Sequence, residues 1–402
     1  MRHITIVGGG QAGLVLAIGL LQAGQAVRVV QNRSAGDIAR GKVMSTQCVF
    51  GAARAYERQL GLDLWNDTAP AVTGMRVAVA APDGSGNKAF GFVGNLKEPA
   101  QSVDQRIKFP RFMEAFVAQG GTLDIADAGI DDLERYAKDS DLVIVAAGKG
   151  PVTQLFTRDD ARSPHDKPMR ALSVVYTRGT TPYDKTCVTA TLVPGLGEVF
   201  MIPSLTASGL CEILFIEAIP GGPLDAFDPA MDVGTQLEKT KALIKQHLSW
   251  EYDRIAGAVP IDANGGLVGR VTATVRKGIG ILPSGRAVVG LADAVILNDP
   301  IVGQGSNNAI KAAAIYCDAI VKRGDAPYDA AWMEATYEAG FRRVEASTLW
   351  SNMMLTPPPP HVVELLARAS GKPELADKVA EGFNEPGTLV PLFADPALAA
   401  AA

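Results

Sequence analysis

The stretch HITIVGGGQAGL, residues 3–14, decides how the rest of the chain is read. Its β-rich start predicts a strand, its glycines a tight turn, and the continuation LVLAIGLLQAG has the apolar spacing of a helix. AVRVV then supplies a second strand, so residues 3–31 make one βαβ unit. In the turn, Gly8 permits the bend, Gly10 lets the backbone approach a pyrophosphate, and Gly13 lets the helix pack on the sheet. Gln11 and Ala12 open the helix, whose first N–H groups have no partners of their own and favour an anion. The unit reads as dinucleotide-binding, and the glycines alone do not separate a flavin from a nicotinamide cofactor. An acidic side chain ordinarily ends the second strand of such a unit and holds ribose hydroxyls. Here Gln31, Asn32 and Arg33 stand in its place.

Outward from this unit, DLVIVAAGKG at 141–150 reads as another strand of the same sheet, with Gly148 where its carboxyl end meets the cofactor. Between 171 and 220, β-branched runs separated by turn residues predict an antiparallel sheet. TQLEKTKALIKQHLSWEYDRI predicts a helix, RAVVGLADA a strand, and the region from about 325 is mostly helical, broken at TPPPPH. The Ala-rich end, 396–402, reads as a frayed tail. The expected division is a discontinuous cofactor domain (1–70, 100–170 and 270–325), a substrate domain (71–99 and 171–269) and a helical C-terminal region (326–402).

Composition excludes several functions. A net charge of −5 is poorly suited to a polyanion such as nucleic acid, which is bound through clustered Lys and Arg. Cys48, Cys187, Cys211 and Cys317 lie far apart in apolar surroundings, and His3, His165, His247 and His361 are scattered singly, so no metal site is expected. The cysteines read as packed thiols of a reducing compartment. The longest apolar stretch is too short and Gly-punctuated to span a bilayer, and Met1 leads almost directly into a strand. The expectation is a cytoplasmic protein without membrane contact.

A second anion-favouring helix start lies at GLADAVILNDPIVGQGSNNAIKAA, residues 290–313. A strand runs to Asp293, Asp299 and Pro300 follow, and Gly303 and Gly305 open a new helix with Asn307 in its first turn. Two such sites imply one long cofactor. FAD suits them: the pyrophosphate on the first helix, Asp293 on the ribityl chain, and the second helix dipole at the ring edge where reduced flavin carries negative charge.

VGGGQAGL together with GLADAVILNDPIVGQGSNNA resembles the FAD-dependent aromatic hydroxylase superfamily. GNLKEPAQSVDQR, DLVIVAAGKG, SPHDKPMRAL, WSNMML, PPPP and EGFNEPG further resemble the oxygenase component of two-component styrene and indole monooxygenases, from residue 3 to about 390. The resemblance implies an α/β fold: a Rossmann-like FAD-binding domain of the aromatic hydroxylase type, a second, largely antiparallel β-sheet substrate domain, and a helical C-terminal region. It implies an oxygenase supplied with reduced FAD by a separate NADH-dependent flavin reductase. O2 gives a flavin C4a-hydroperoxide that epoxidises a small aromatic substrate at a conjugated C=C bond. A homodimer is compatible with it, and the chain itself gives no oligomeric state.

The missing ribose acid fits a flavin that comes and goes as a co-substrate; the alternative is Gln31 or Asn32 as a neutral hydrogen-bonding replacement. By the resemblance, Arg33, Lys42 and Arg106 lie along the cofactor, and the substrate pocket falls at Ser45, Gln47, Met75, Ala78, Ala100, Pro300 and Ile301. Styrene-preferring members tend to carry Asn and Val where this chain has Ser45 and Gln47, an aromatic and a His near Met75 and Ala78, and a Ser near Ala100. The chain thus resembles the indole-preferring branch, in which Ser45 or Gln47 would accept the indole N–H. Core packing is the alternative role for Met75, Ala78 and Ala100. No nucleophile with an attendant base is found, so the flavin performs the chemistry and no catalytic side chain is assigned. Alternatives are a self-sufficient NAD(P)H-dependent hydroxylase or a non-enzymatic flavin- or prenyl-binding module. A halogenase would carry Trp-x-Trp-x-Ile-Pro, which is absent.

Overall fold

In the computed structural model, which describes residues 1–402, strand His3–Val7 lies inside a six-stranded sheet. The order is Ile279–Ile281, Ala287–Gly290, Leu142–Val145, His3–Val7, Ala26–Gln31 and Thr122–Ile125. All neighbours are parallel except the first pair. Leu142–Val145 is buried at every position, as a parallel strand covered on both faces must be. Helix Gln11–Gln22 buries ten residues in unbroken succession from Gln11 to Leu20. It can do so because it lies in the core and packs against helix Gly305–Arg323.

The second sheet has eight strands, in the order Val259–Pro260, Ala171–Arg178, Gly209–Ala218, Gly197–Thr206, Cys187–Val193, Val72–Ala80, Lys88–Ala100, with Gly266–Arg270 also paired to Ala171–Arg178. It is antiparallel except where Val72–Ala80 runs parallel to Cys187–Val193. One face packs on helices Val233–His247 and Ser249–Ile255. The other faces segment 43–50, the turn at Ile301–Val302 and the C-terminal helices, and this face carries Met75, Val77, Ala100, Ile213 and Phe215.

The mixed α/β fold of parallel sheet, largely antiparallel sheet and helical C-terminus is as the sequence predicts. Two local expectations are corrected. The helix predicted through 235–255 is two helices, because buried Leu248 takes a non-helical conformation (φ −142°, ψ 51°) between them. The end of the chain is not a frayed tail: Pro396–Ala401 is helical, Asp395 accepts the Ala397 N–H at 2.8 Å, and Arg368 Nη1 donates to the Ala400 carbonyl at 2.9 Å. Proline pre-set at the first helical position and alanine's high helix propensity favour that turn, and burial of Ala399 anchors it. All four cysteines are free and buried, and burial pushes the Cys48 thiol up to about 12. No helix is long and apolar enough to cross a membrane.

Candidate functional site

The glycines of the first turn divide by what a Cβ would strike. At Gly8, which has φ +118°, it would fall 2.5 Å from Ala147 N, and at Gly13 it would fall 1.9 Å from the Gly8 carbonyl oxygen. Both are required by the protein's own backbone. At Gly10 an added Cβ would meet nothing within 4 Å beyond its own chain neighbours, and at Gly303 and Gly305 it would meet nothing beyond the adjoining backbone. These three positions border the N-termini of helices Gln11–Gln22 and Gly305–Arg323, and neither helix has a side-chain cap. Ala12 is buried, and Gln11 is buried with its Nε2 donating to Glu57 at 2.8 Å and its Oε1 unpartnered. Uncapped amides facing open space at two helix starts fit a long anionic cofactor.

Gln31, at the position of the missing acid, leans over the glycine turn and donates from Nε2 to the Gly9 carbonyl at 3.5 Å. Arg33 donates to the Met44 sulfur, and Lys42 is exposed. Asp293 follows Ala292, whose φ of +52° is rare for a residue with a side chain. Gly148 is needed beside it, since a Cβ there would fall 2.7 Å from the Asp293 Cβ. The Asp293 side chain is exposed on one side, while protein atoms pack densely around the rest of it. That desolvation raises its carboxyl to about 6 against a smaller pull from Lys149.

Two expected cofactor ligands are otherwise engaged. Arg106 is buried and its guanidinium pairs with Asp104 at 2.8 Å and Asp262 at 3.0 Å, anchoring its own helix start. Asn307 is fully buried: its Oδ1 accepts the Phe50 N–H at 2.8 Å, and its Nδ2 donates to the Cys48 carbonyl at 2.9 Å and the Gly303 carbonyl at 3.2 Å. Only its backbone N–H is left to face a cofactor. Its side chain instead ties segment 47–50 to the glycine turn.

The expected substrate residues divide. Gln47 is buried, donating to the Val103 carbonyl while its Oε1 accepts from Ser306 Oγ at 3.2 Å. Met75, Ala100 and Ile301 share one apolar cluster with Val77 and Val302. Pro300 begins the short 3₁₀ turn Pro300–Val302, capped by Asp299, which accepts the Ile301 N–H at 3.2 Å. Gly303 closes this turn at φ +63°. Ser45 is exposed, its hydroxyl turned to the Thr46 carbonyl and its own carbonyl accepting from Tyr176 OH at 2.9 Å. Ala78 does not join the group: strand side chains alternate, so it stands on the face opposite Met75 and Val77, paired with Gly91 and Thr191.

Beyond Ile301 and Val302 a small apolar cavity of about 40 Å³, partly open to solvent, is walled by Val77, Phe200, Trp350 and Phe383. The sequence reading missed Trp350, whose indole N–H is buried without a partner, and the buried acids Glu198 and Glu217. Glu217 had a signal: in CEILFIEAIP it holds the same alternation as Ile213 and Phe215, an acid at an inward position.

Comparison with known proteins agrees with this architecture. Residues 148–254 match the family model described as "Styrene monooxygenase A putative substrate binding domain". Styrene monooxygenase StyA of Pseudomonas fluorescens is 30% identical over 98% of this chain and 96% of its own length. StyA of a second Pseudomonas is 31% identical with the same coverage. Among solved structures, the flavin-dependent brominase Bmp2 superposes with a TM-score of 0.69 at 15% identity over 99% of this chain and 98% of its own. A flavoprotein/dehydrogenase from Cytophaga hutchinsonii superposes with 0.68 at 12% identity, with the same two coverages. At such identities these two speak for the fold alone. The two StyA relatives match from end to end, and the chain belongs to the styrene monooxygenase family as a FAD-dependent monooxygenase.

Proposed function

We propose that the chain is the oxygenase component of a two-component system, which takes FAD reduced by a separate NADH-dependent reductase and epoxidises an aryl-conjugated C=C bond, indole C2=C3 in preference to styrene. The observation that supports this reading is the apolar cluster that holds Met75, Ala100 and Ile301, with Gln47 bonded to Ser306 in the first turn of helix Gly305–Arg323. Bound reduced FAD would supply the activation of O2 and the transfer of one oxygen atom to the alkene. The residues proposed to hold it are Gly10, Gln11 and the following helix amides at the pyrophosphate, Asp293 at the ribityl chain, and Gly303 and Gly305 at the ring. The proposed division of labour runs through 1–70, 100–170 and 270–325 for the cofactor, 71–99 and 171–269 for the substrate, and 326–402 as helical cover.

What the chain's residues do is bind, orient and exclude water. Met75, Ala100 and Ile301 give an apolar wall that holds a planar aromatic and keeps water from the reacting atoms. Gln47 Oε1 keeps a lone pair after accepting from Ser306, and that lone pair can accept the indole N–H. Styrene offers no donor and leaves the acceptor unmatched, at a cost of about 1–3 kcal/mol, enough for about a tenfold bias or more. Ser45, exposed and turned to a neighbouring carbonyl, contributes less to this selection.

The test supplies reduced FAD and O2 with indole or styrene in parallel and compares kcat/KM, with reductase in excess. Indole should lead and yield indoxyl, which air dimerises to blue indigo, and styrene should give its oxide. NADH and FAD without the reductase should give no turnover. Gln47→Val should erode the indole lead by about tenfold. A parent ratio below one, or one unmoved by Gln47→Val, would show that specificity lies elsewhere.

A further inference from the structure

Behind the Pro300–Val302 turn lies a group of buried acids with too few cations. Glu217 is 0% exposed and neither of its carboxyl oxygens meets an N–H or O–H donor. Asp299, at 1%, lies within hydrogen-bond reach of it; Asp299 Oδ1 accepts the Ile301 N–H, while its Oδ2 has no donor. Glu198 faces Glu217 across the sheet in direct register. Arg170 is spent on Glu198 through two bonds of 2.7 and 2.9 Å and on the carbonyls of Met169, Met354 and Leu355. His165 stands near Asp299, with its Nε2 3.5 Å from the Asn352 carbonyl.

If Glu217, Asp299 and Glu198 were all ionised, three negative charges would face one guanidinium out of contact with water. Two carboxylates sharing such a site do not both ionise. One proton between Glu217 and Asp299 removes a charge and satisfies two orphaned oxygens in a single bond.

We propose that Glu217 is a positioning residue for the reaction: it keeps one proton in the working enzyme and donates it as a hydrogen bond to Asp299, fixing the turn whose next residues face the cofactor and substrate. Burial pushes the Glu217 carboxyl well above the ordinary carboxylate range, with Asp299 and Glu198 adding to the effect and Arg170 opposing it. Burial raises Asp299 as well. Asp299 transmits the bond, because it caps Ile301, its carbonyl accepts Ser351 Oγ at 3.0 Å, and Ile301 and Val302 wall the apolar cavity. Loss of the proton to solvent at alkaline pH sets two charges against each other and displaces the turn. Oxygen activation then leaks to hydrogen peroxide instead of product. The leak as a readout rests on the epoxidase reading above; the proton does not.

The experiment pairs infrared spectroscopy with product analysis on the full chain. The parent at neutral pH should show a protonated-carboxyl C=O band that is missing in Glu217→Gln and disappears at alkaline pH. Glu217→Gln keeps an N–H donor toward Asp299 and cannot lose it, so it should retain at least about half the product per FAD oxidised at neutral pH. In the parent, peroxide released per product should rise severalfold as pH increases, and in Glu217→Gln that rise should vanish. Glu217→Leu should leak severalfold more at every pH. Absence of the carboxyl band at neutral pH, or its persistence in Glu217→Gln, overturns the proposal. So does a leak in Glu217→Leu equal to the parent's. Should the parent give no epoxide at all, the epoxidase reading fails while the infrared bands still decide where the proton is.

Discussion

Gly305 and Gly303 sit two residues apart and report different things. Gly303 adopts φ +63°, where an added side chain costs about 1–2 kcal/mol in strain whatever the space around it. Gly305 is helical with no positive φ, and a Cβ on it meets nothing in the protein. Gly305→Val therefore tests cofactor approach without backbone strain: oxygenation should collapse while Tm falls by only a few degrees. Normal activity in the folded variant would remove the flavin ring from this helix start. Asp293 makes a second prediction. Its folded-state carboxyl titrates near 6, above the ordinary 3.8, so the ionised form is disfavoured in the fold. Stability from this group is present at low pH and is lost as pH rises from about 4 through about 6. Cofactor-free protein should gain in Tm between pH 7 and pH 5 relative to Asp293→Asn, which does not titrate. Parallel pH profiles of the two proteins would show that the carboxyl is not held up.

At the scale of elements, close backbone approach explains why one quoted family segment has its residues. GNLKEPA falls in strand Lys88–Ala100, and helix Pro373–Glu381 lies across it. A Cβ on Gly94 would come within 2.0 Å of the Ala376 carbonyl oxygen, and Asp377 accepts the Asn95 N–H at 2.7 Å one residue on. Gly94→Ala should push the helix off the strand and cost about 1–3 kcal/mol or more, read as a fall in the chemical-denaturation midpoint at unchanged slope. A neutral result would mean that the helix moves freely on its strand. The missed terminal helix has the same cause as the missed break at Leu248. Local pattern alone did not decide either, although propensity favoured the terminal helix, and the burial of Ala399 and Leu248 settled them.

For the whole molecule, the site is assembled from segments far apart in the chain. Segment 47–50, Val103 and the helix beginning at Gly305 meet through the side chains of Gln47 and Asn307, across as many as 259 residues of sequence. The sequence by itself determined the βαβ unit, the two anion-favouring helix starts and FAD as cofactor, because glycine spacing and apolar periodicity are local properties of a chain. It also carried the family resemblance. The sequence could not say that Arg106 and Asn307 turn inward, since each is held by partners, Asp104, Asp262, Phe50 and Cys48, that only folding brings near. Nor could it place Ala78 behind the wall that Met75 faces, because a strand's parity is fixed only once its register is. The buried acids are the clearest case. Glu217 is an ordinary acid in an apolar run until the tertiary structure sets Asp299 and Glu198 beside it, withholds water and spends the one guanidinium elsewhere.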